Sequence, residues 1–301
     1  MHNHRLILLI AVLITPLLVF PQKKMQHFKK QLPPGNYSGI CPIGNDLFAV
    51  VDDKAEEDGF YAFRLVVDAN SCKITEAENM GYRSAHLPNR DMEGICFRES
   101  TNTLFISGEQ DNEVYEYNMD GTRTGRKLDM PDYMSKAHAN AGLEALCYDS
   151  ASHLFFTMSE QPLPGEDDIR LLAFSDELSL VNEYRYVPDT TDGKQQCYGV
   201  SALCALNDGR LLVLERQIHI PRLKIGAKAR TRIYAVKPDS TQTTLEKHLV
   251  TEFTTRMTLT GRKFANFEGM CQPCSGWLLL MADSQNRYKG VLRDWLKTIQ
   301  L

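Results

Sequence analysis

The stretch NFEGMCQPCSGWLLLMAD, residues 266–283, reads as a strand start, a turn, and an apolar strand that ends on an acid. It also carries the C-x-x-C pair Cys271 and Cys274. The same pattern stands four more times in the chain. Ser38-Gly39-Ile40-Cys41, Glu93-Gly94-Ile95-Cys96, Glu144-Ala145-Leu146-Cys147 and Ser201-Ala202-Leu203-Cys204 match Glu268-Gly269-Met270-Cys271. Each is followed by a turn rich in Gly, Asn, Asp or Ser, then by LFAVV, LFIS, LFFTM, LLVL or WLLLM. Every run ends on an acid: Asp52, Glu109, Glu160, Glu215 or Asp283. In four units a third strand-like run follows (FYAFRL, EVYEYN, RLLAFS, RIYAV), and VLRDWL in the last unit matches less well.

Successive cysteines of the repeat are 55, 51, 57 and 67 residues apart. Short strands and turns at that period predict an all-β fold, a β-propeller with one four-stranded sheet per blade. The runs are too short and too rich in Val, Ile, Phe and Tyr for helical repeats. Five blades are expected, and a sixth only if one unit has lost its signature. Only 30 residues follow Cys271, so residues ahead of Ser38 are expected to supply an outer strand and close the ring. This divides the chain into residues 1–22, a linker or closing strand over 23–35, and a single propeller over 36–301.

The 301 residues are 43% hydrophobic and 24% charged, with a formal net charge of −4. That charge gives no global attraction to nucleic acid, and no nucleic-acid partner is expected. The first residues, His2 to Arg5, form a short basic start before an apolar run over residues 6–20, broken at Pro16. This pattern fits an export signal. Val19-Phe20-Pro21-Gln22 lacks the small-x-small exit of a cleavage site, so the run reads as a signal peptide or as an uncleaved membrane tether through residues 6–20. Lys23, Lys24, Lys29 and Lys30 follow directly and argue against an apolar strand of the fold. A periplasmic or extracellular location, and a monomer, are the expectations.

Equivalent positions in a ring of blades point alike, so Cys41, Cys96, Cys147, Cys204 and Cys271 are expected to fill similar apolar slots on the innermost strands. Neighbouring blades hold them too far apart for the ~5.5 Å Cα separation of a disulfide. Cys72, Cys197 and Cys274 lie outside the repeat and show no evident pairing, so free thiols are expected throughout. The C-x-x-C lacks a second pair for a zinc site and opens a strand turn, not a helix as a redox pair of the thioredoxin kind does.

Signatures of serine hydrolases, phosphate loops, zincins and dinucleotide-binding folds are absent from the sequence. The acids are more informative. In a blade, the start of the innermost strand and the end of the second lie at one face. That places Glu93 near Glu109, Glu144 near Glu160, and Glu268 near Asp283, with Asp52, Asp53 and Glu215 on the same mouth. Asp91, Asn140 and Asn266 stand just ahead of the glutamates. Converging carboxylates stay ionised together only beside cations. Oxygen ligands favour a hard ion, Ca²⁺ first with Mg²⁺ as the alternative. The six acids Glu93, Glu109, Glu144, Glu160, Glu268 and Asp283 are therefore candidate metal ligands, and Glu93, Glu144 and Glu268 candidate catalytic residues. The competing reading makes each glutamate blade architecture that accepts backbone N–H groups, and the sequence does not separate the two. Arg216, Arg222, Lys224, Lys228, Arg230 and Arg232 read as one basic loop. Arg216, Arg222, Lys224 and Arg230, with Asn140 and Asn266, are candidate substrate-binding residues for a phosphate group.

At these residues the chain resembles the phytase-like, esterase-like propeller family of secreted bacterial proteins. The matching pieces are Gly142-Leu143-Glu144-Ala145-Leu146, Leu211 to Arg216 (LLVLER), Asn266 to Met270 (NFEGM) and Leu278 to Ser284 (LLLMADS). Asp91 to Ile95 (DMEGI) fits this family and a related group of bacterial envelope propellers. The resemblance covers residues 36–290. It implies calcium-assisted hydrolysis of phosphoesters, with a small phosphorylated or ester substrate. Ser38 and Ser201 stand where other units have Glu, and Ala145 where others have Gly, so the acid ring is incomplete. Two other functions fit the same residues: a lactonase-like ester hydrolase with one channel ion as Lewis acid, and a non-catalytic propeller that binds an envelope component.

Overall fold

The computed structural model describes residues 25–189, 197–222 and 224–301. The segment 1–22, read as signal or tether, lies outside the described residues. Among the described residues no helix is long and apolar enough to cross a membrane.

Five antiparallel sheets stand around one axis, as the repeat predicts. The first is β1 (Tyr37–Gly44), β2 (Leu47–Asp52), β3 (Glu57–Val67) and β4 (Ile74–Pro88). The second is β5 (Met92–Arg98), β6 (Thr103–Gly108), β7 (Glu113–Asn118) and β8 (Arg123–Lys127). The third is β9 (Leu143–Asp149), β10 (Leu154–Ser159), β11 (Ile169–Phe174) and β12 (Leu180–Tyr186). The fourth is β13 (Cys197–Ala205), β14 (Leu211–His219), β15 (Lys228–Val236) and β16 (His248–Arg256), and the fifth is β17 (Asn266–Cys274), β18 (Trp277–Asp283) and β19 (Leu296–Gln300). Within every blade the strands are hydrogen-bonded in chain order, so β1, β5, β9, β13 and β17 face the central axis. Gln26 adds an antiparallel bridge to Leu296 with both backbone hydrogen bonds at 2.8 Å, placing the segment ahead of β1 on the outer edge of blade five.

The apolar runs do not alternate, because each inner sheet is covered on both faces by its neighbours. Burial is accordingly organised in five seams. Val51 and Phe60 of blade one meet Ile95 and Leu104 of blade two, and Phe105 of blade two meets Leu146 and Phe155 of blade three. Met158 meets Val213 across the third seam, Leu214 meets Leu280 across the fourth, and Leu279 meets Ile40 and Val50 across the fifth. One repeat cysteine is buried in each seam: Cys41, Cys96, Cys147, Cys204 and Cys271. They fill small apolar slots on the innermost strands, as their shared position predicts. The turn at Asn45-Asp46 has left-handed φ values of 52° and 59°, which suits a two-residue hairpin.

The glycine of the repeat marks the closest approach between inner strands. A Cβ built on Gly94 would lie 2.7 Å from Leu146 Cβ and 2.8 Å from its backbone nitrogen, on the next blade. Gly94→Val is therefore expected to lose about 1–3 kcal/mol of stability through forced separation of blades two and three. A fall in the thermal midpoint measures it, and an unchanged midpoint would show that this seam can widen freely.

Candidate functional site

The strand register brings the expected acids to one mouth of the channel. Asn266 pairs with Asp283, and the β5–β6 and β9–β10 hairpins return Glu109 and Glu160 beside the starts of their own inner strands. Glu93, Glu144, Glu160 and Glu268 are all buried. Burial, then the charge of Glu144, pushes the Glu93 carboxyl well above its usual range. Burial also raises Glu144, and Arg216 opposes that shift.

Arg216 occupies the middle of this ring. Its Nη2 donates to Glu144 Oε1 at 2.9 Å and to Glu160 Oε1 at 3.0 Å, while Nη1 pairs with Glu268 Oε1. Asn266 extends the network, its Nδ2 donating to Glu268 Oε1 at 2.7 Å and its Oδ1 accepting from Arg216 Nη1 at 3.4 Å. Three of the six candidate metal ligands are thus engaged by one guanidinium of the chain itself.

The basic stretch is not one loop, as its composition suggested. β14 and β15 stay paired from Leu211↔Val236 out to His219↔Lys228, so Arg216, Arg230 and Arg232 are strand residues. The strands run on because Ile218, Ala227 and Ala229 close a small core of their own with Phe264. Glu215 and Arg216, adjacent on β14, project to opposite faces. Arg216 takes the inward direction. Glu215, expected on the mouth, instead accepts from Tyr186 Oη at 2.5 Å and pairs with Lys247 Nζ at 2.7 Å. Arg230 pairs with Glu252 at 2.8 Å, Arg222 is exposed at the hairpin tip, and Lys224 Nζ donates to Tyr288 Oη at 2.8 Å. Asn140 is exposed in a left-handed turn ahead of β9.

Glu109 Oε1 accepts from the Gly142 N–H at 3.2 Å, and burial raises its carboxyl. Burial also pushes Asp283 up to about 6, although its Oδ1 accepts from the Gln285 N–H at 2.6 Å. Among the described residues no Lys or Arg pairs with Glu93 or Glu109. Ser38, at the blade-one position of the ring, hydrogen-bonds Glu93. Cys197 reaches Glu160 at 3.5 Å, and burial holds its thiol up at about 11, so it remains a protonated donor.

A second cluster joins Glu93 to Asp53 and Asp91, which the sequence places at the same mouth but not among the six candidate ligands. Carboxylate oxygens of Asp53, Asp91 and Glu93 lie within 4.8 Å of one another. Asp53 Oδ1 is buried without a hydrogen-bond partner, and desolvation pushes this carboxyl up to about 7. Lys54 Nζ lies 3.2 Å from Asp53 Oδ2 and also bonds Asp91. The signal was present in the sequence, since Asp91 stands two residues before Glu93 and Asp53 directly follows the blade-one strand end. An all-oxygen set with an unpartnered buried atom suits a hard divalent cation, provided Lys54, half exposed, swings away. Beside it a cleft of about 380 Å³ is lined by Asp52, Lys54, Tyr61, Tyr82 and Asn286. At the level of Glu144, Ser201 and Glu268 the space between the inner strands falls to about 10 Å³. It widens again to about 210 Å³ among the repeat cysteines.

The family model described as phytase-like, esterase-like activity of phytase, matches residues 33–284. No curated protein matches the sequence. Among solved structures, an endo-arabinase from Bacteroides thetaiotaomicron is similar over 93% of this chain and 98% of its own, at 11% identity and a TM-score of 0.52. A luciferin-regenerating enzyme is similar over 91% and 94%, at 10% identity and a TM-score of 0.48. These likenesses concern the fold.

Two outcomes test the electrostatics. Arg216→Met leaves buried carboxylates without their cation and is expected to cost about 3–5 kcal/mol near neutral pH. The loss should shrink as acid protonates those groups, and urea denaturation at two pH values reads it. Asp53 has a folded pKa above its unfolded value, so its contribution is full at low pH and lost as pH rises through about 7. In chelator, Asp53→Asn should equal the wild type in stability at about pH 3 and gain on it progressively toward pH 8. A pH-independent difference would contradict the buried, unpartnered carboxylate.

Proposed function

The chain belongs to the phytase-like family, and from that premise we propose that it is a divalent-cation-dependent hydrolase of phosphoric esters acting at the acidic channel mouth. The observation that carries this reading is the meeting of Asp53, Asp91 and Glu93 beside a cleft large enough for a small substrate. These three residues would hold the cation, Ca²⁺ with Mg²⁺ as the alternative. When bound, the ion supplies neutralisation of phosphate charge and activation of water.

The chain's own groups divide the remaining work. Lys54, released from Asp53 and Asp91, turns its ammonium to the phosphate in the cleft. Glu109, whose Oε1 is fixed by the Gly142 N–H, presents Oε2 as the proton acceptor for the attacking water. Arg216 holds Glu144, Glu160 and Glu268 aligned, which makes them positioning residues. Tyr61 and Tyr82 line the cleft for the alcohol portion of the ester. Export, with residues 6–20 as signal or tether, and a monomeric state belong to the same proposal.

A second reading is a non-catalytic propeller that binds an envelope component. The occupation of Glu144, Glu160 and Glu268 by Arg216 favours it, because three candidate ligands already have a partner in the chain. Calcium calorimetry, with hydrolysis of p-nitrophenyl phosphate, p-nitrophenyl acetate and a γ-lactone with and without EDTA, separates the readings. The proposal expects calcium heat that Glu93→Gln abolishes, and EDTA-sensitive phosphate release that Glu109→Gln slows about 10²-fold or more. Hydrolysis of the acetate or lactone alone would move the assignment to a lactonase-like enzyme. Neither calcium heat nor EDTA-sensitive turnover would overturn the proposal in favour of the binding propeller.

A further inference from the structure

The C-x-x-C of the last repeat does not act as a pair. Cys271 is buried in the seam between blades five and one, whereas Cys274 ends β17 at the turn into β18. The nearest partner of Cys274 comes from 202 residues away: Cys72 Sγ lies 3.8 Å from Cys274 Sγ. Cys72 sits in the turn between β3 and β4 of blade one, fully buried, with a left-handed φ of 48°. Its backbone N–H donates to Asp68 O at 2.6 Å, and Ser71 N–H donates to Asp68 Oδ1 at 2.7 Å, which pins the turn. Cys274 is partly exposed.

We propose that Cys72 and Cys274 form a disulfide that staples blade one to blade five. At 3.8 Å the two sulfurs are in contact and not bonded. The sulfurs must approach from 3.8 Å to a bond of about 2.05 Å, a movement within reach of side-chain rotation. The oxidant is a small disulfide such as oxidised glutathione. The Cys274 thiolate, reachable from solvent, attacks one of its sulfurs and expels a glutathione thiolate. The Cys72 thiolate then attacks Cys274 Sγ in the mixed disulfide and expels the second. Two protons leave the cysteines, two electrons pass to the oxidant, and one S–S bond replaces another.

The location gives the bond its purpose. Among the described residues blade five has three strands of its own, and a bridge from Gln26 to Leu296 adds to its outer edge. The Gln26 side chain also bonds the backbone of Ile74, two residues after Cys72, donating at 2.8 Å and accepting at 3.1 Å. The staple therefore lies where the ring is closed by the chain's early segment. It would lock that closure covalently.

Wild-type protein is equilibrated with excess oxidised or reduced glutathione, denatured and alkylated, and its thiols counted and mapped. The expected result is a fall from eight thiols to six and one cross-linked peptide joining Cys72 to Cys274. The thermal midpoint should rise by roughly 5–15 °C on oxidation, given the long loop that the bond would close. Cys72→Ser and Cys274→Ser should each abolish the rise, and Cys271→Ser should retain it. Eight thiols under oxidant, a Cys271–Cys274 cross-link, or a Cys72–Cys274 bond without a rise in midpoint would each overturn the proposal.

Discussion

A guanidinium closed inside a ring of carboxylates is the constraint on which the mouth of this propeller depends. Five inner strands converge, and the hairpin geometry of each blade delivers acids to the same face. Without a cation those groups would repel one another and pull the strand starts apart. Arg216 reaches Glu144 and Glu160 on blade three and Glu268 on blade five while standing on blade four. It joins three neighbouring blades through one planar donor set, a role that a lysine's point charge could not fill with the same geometry. Blades one and two lack this support, and there the acids Asp53, Asp91 and Glu93 are left to Lys54.

The mouth therefore has two electrostatic halves. One is bridged by Arg216 through both Nη atoms, with its Nε left unpartnered; the other holds an unpartnered carboxylate oxygen on Asp53 and a lysine whose chain is half exposed. Chemistry that involves an incoming ion or anion belongs on the second half, where displacement of a single side chain changes the local charge. The open cleft lies next to Lys54 on that side.

The architecture was legible in the sequence because a propeller repeats its solution. The same seam must be filled five times, so Gly or Ala, an aliphatic residue and Cys recur in order at each inner strand. The acids at the strand ends were legible for the same reason. Blade four was not, because Glu215 and Arg216 both stand near the strand end, and the register puts Arg216, not Glu215, level with Glu160 and Asp283 of the neighbouring blades. Composition alone also hid the overhanging β14–β15 hairpin, whose lysines and arginines resemble a loop until Phe264 is seen packing beneath it. The meeting of Cys72 with Cys274 left no local trace, since both lie in turns where the repeat imposes nothing.

The narrowing between the inner strands at Glu144, Ser201 and Glu268 has a further consequence. With room for about 10 Å³ at that level, about one water, a substrate-sized molecule finds a well and not a passage. Whatever enters must leave by its entrance, past Lys54 and the rim of the hairpin. Arrival and departure share one doorway, so occupancy by one molecule excludes the next.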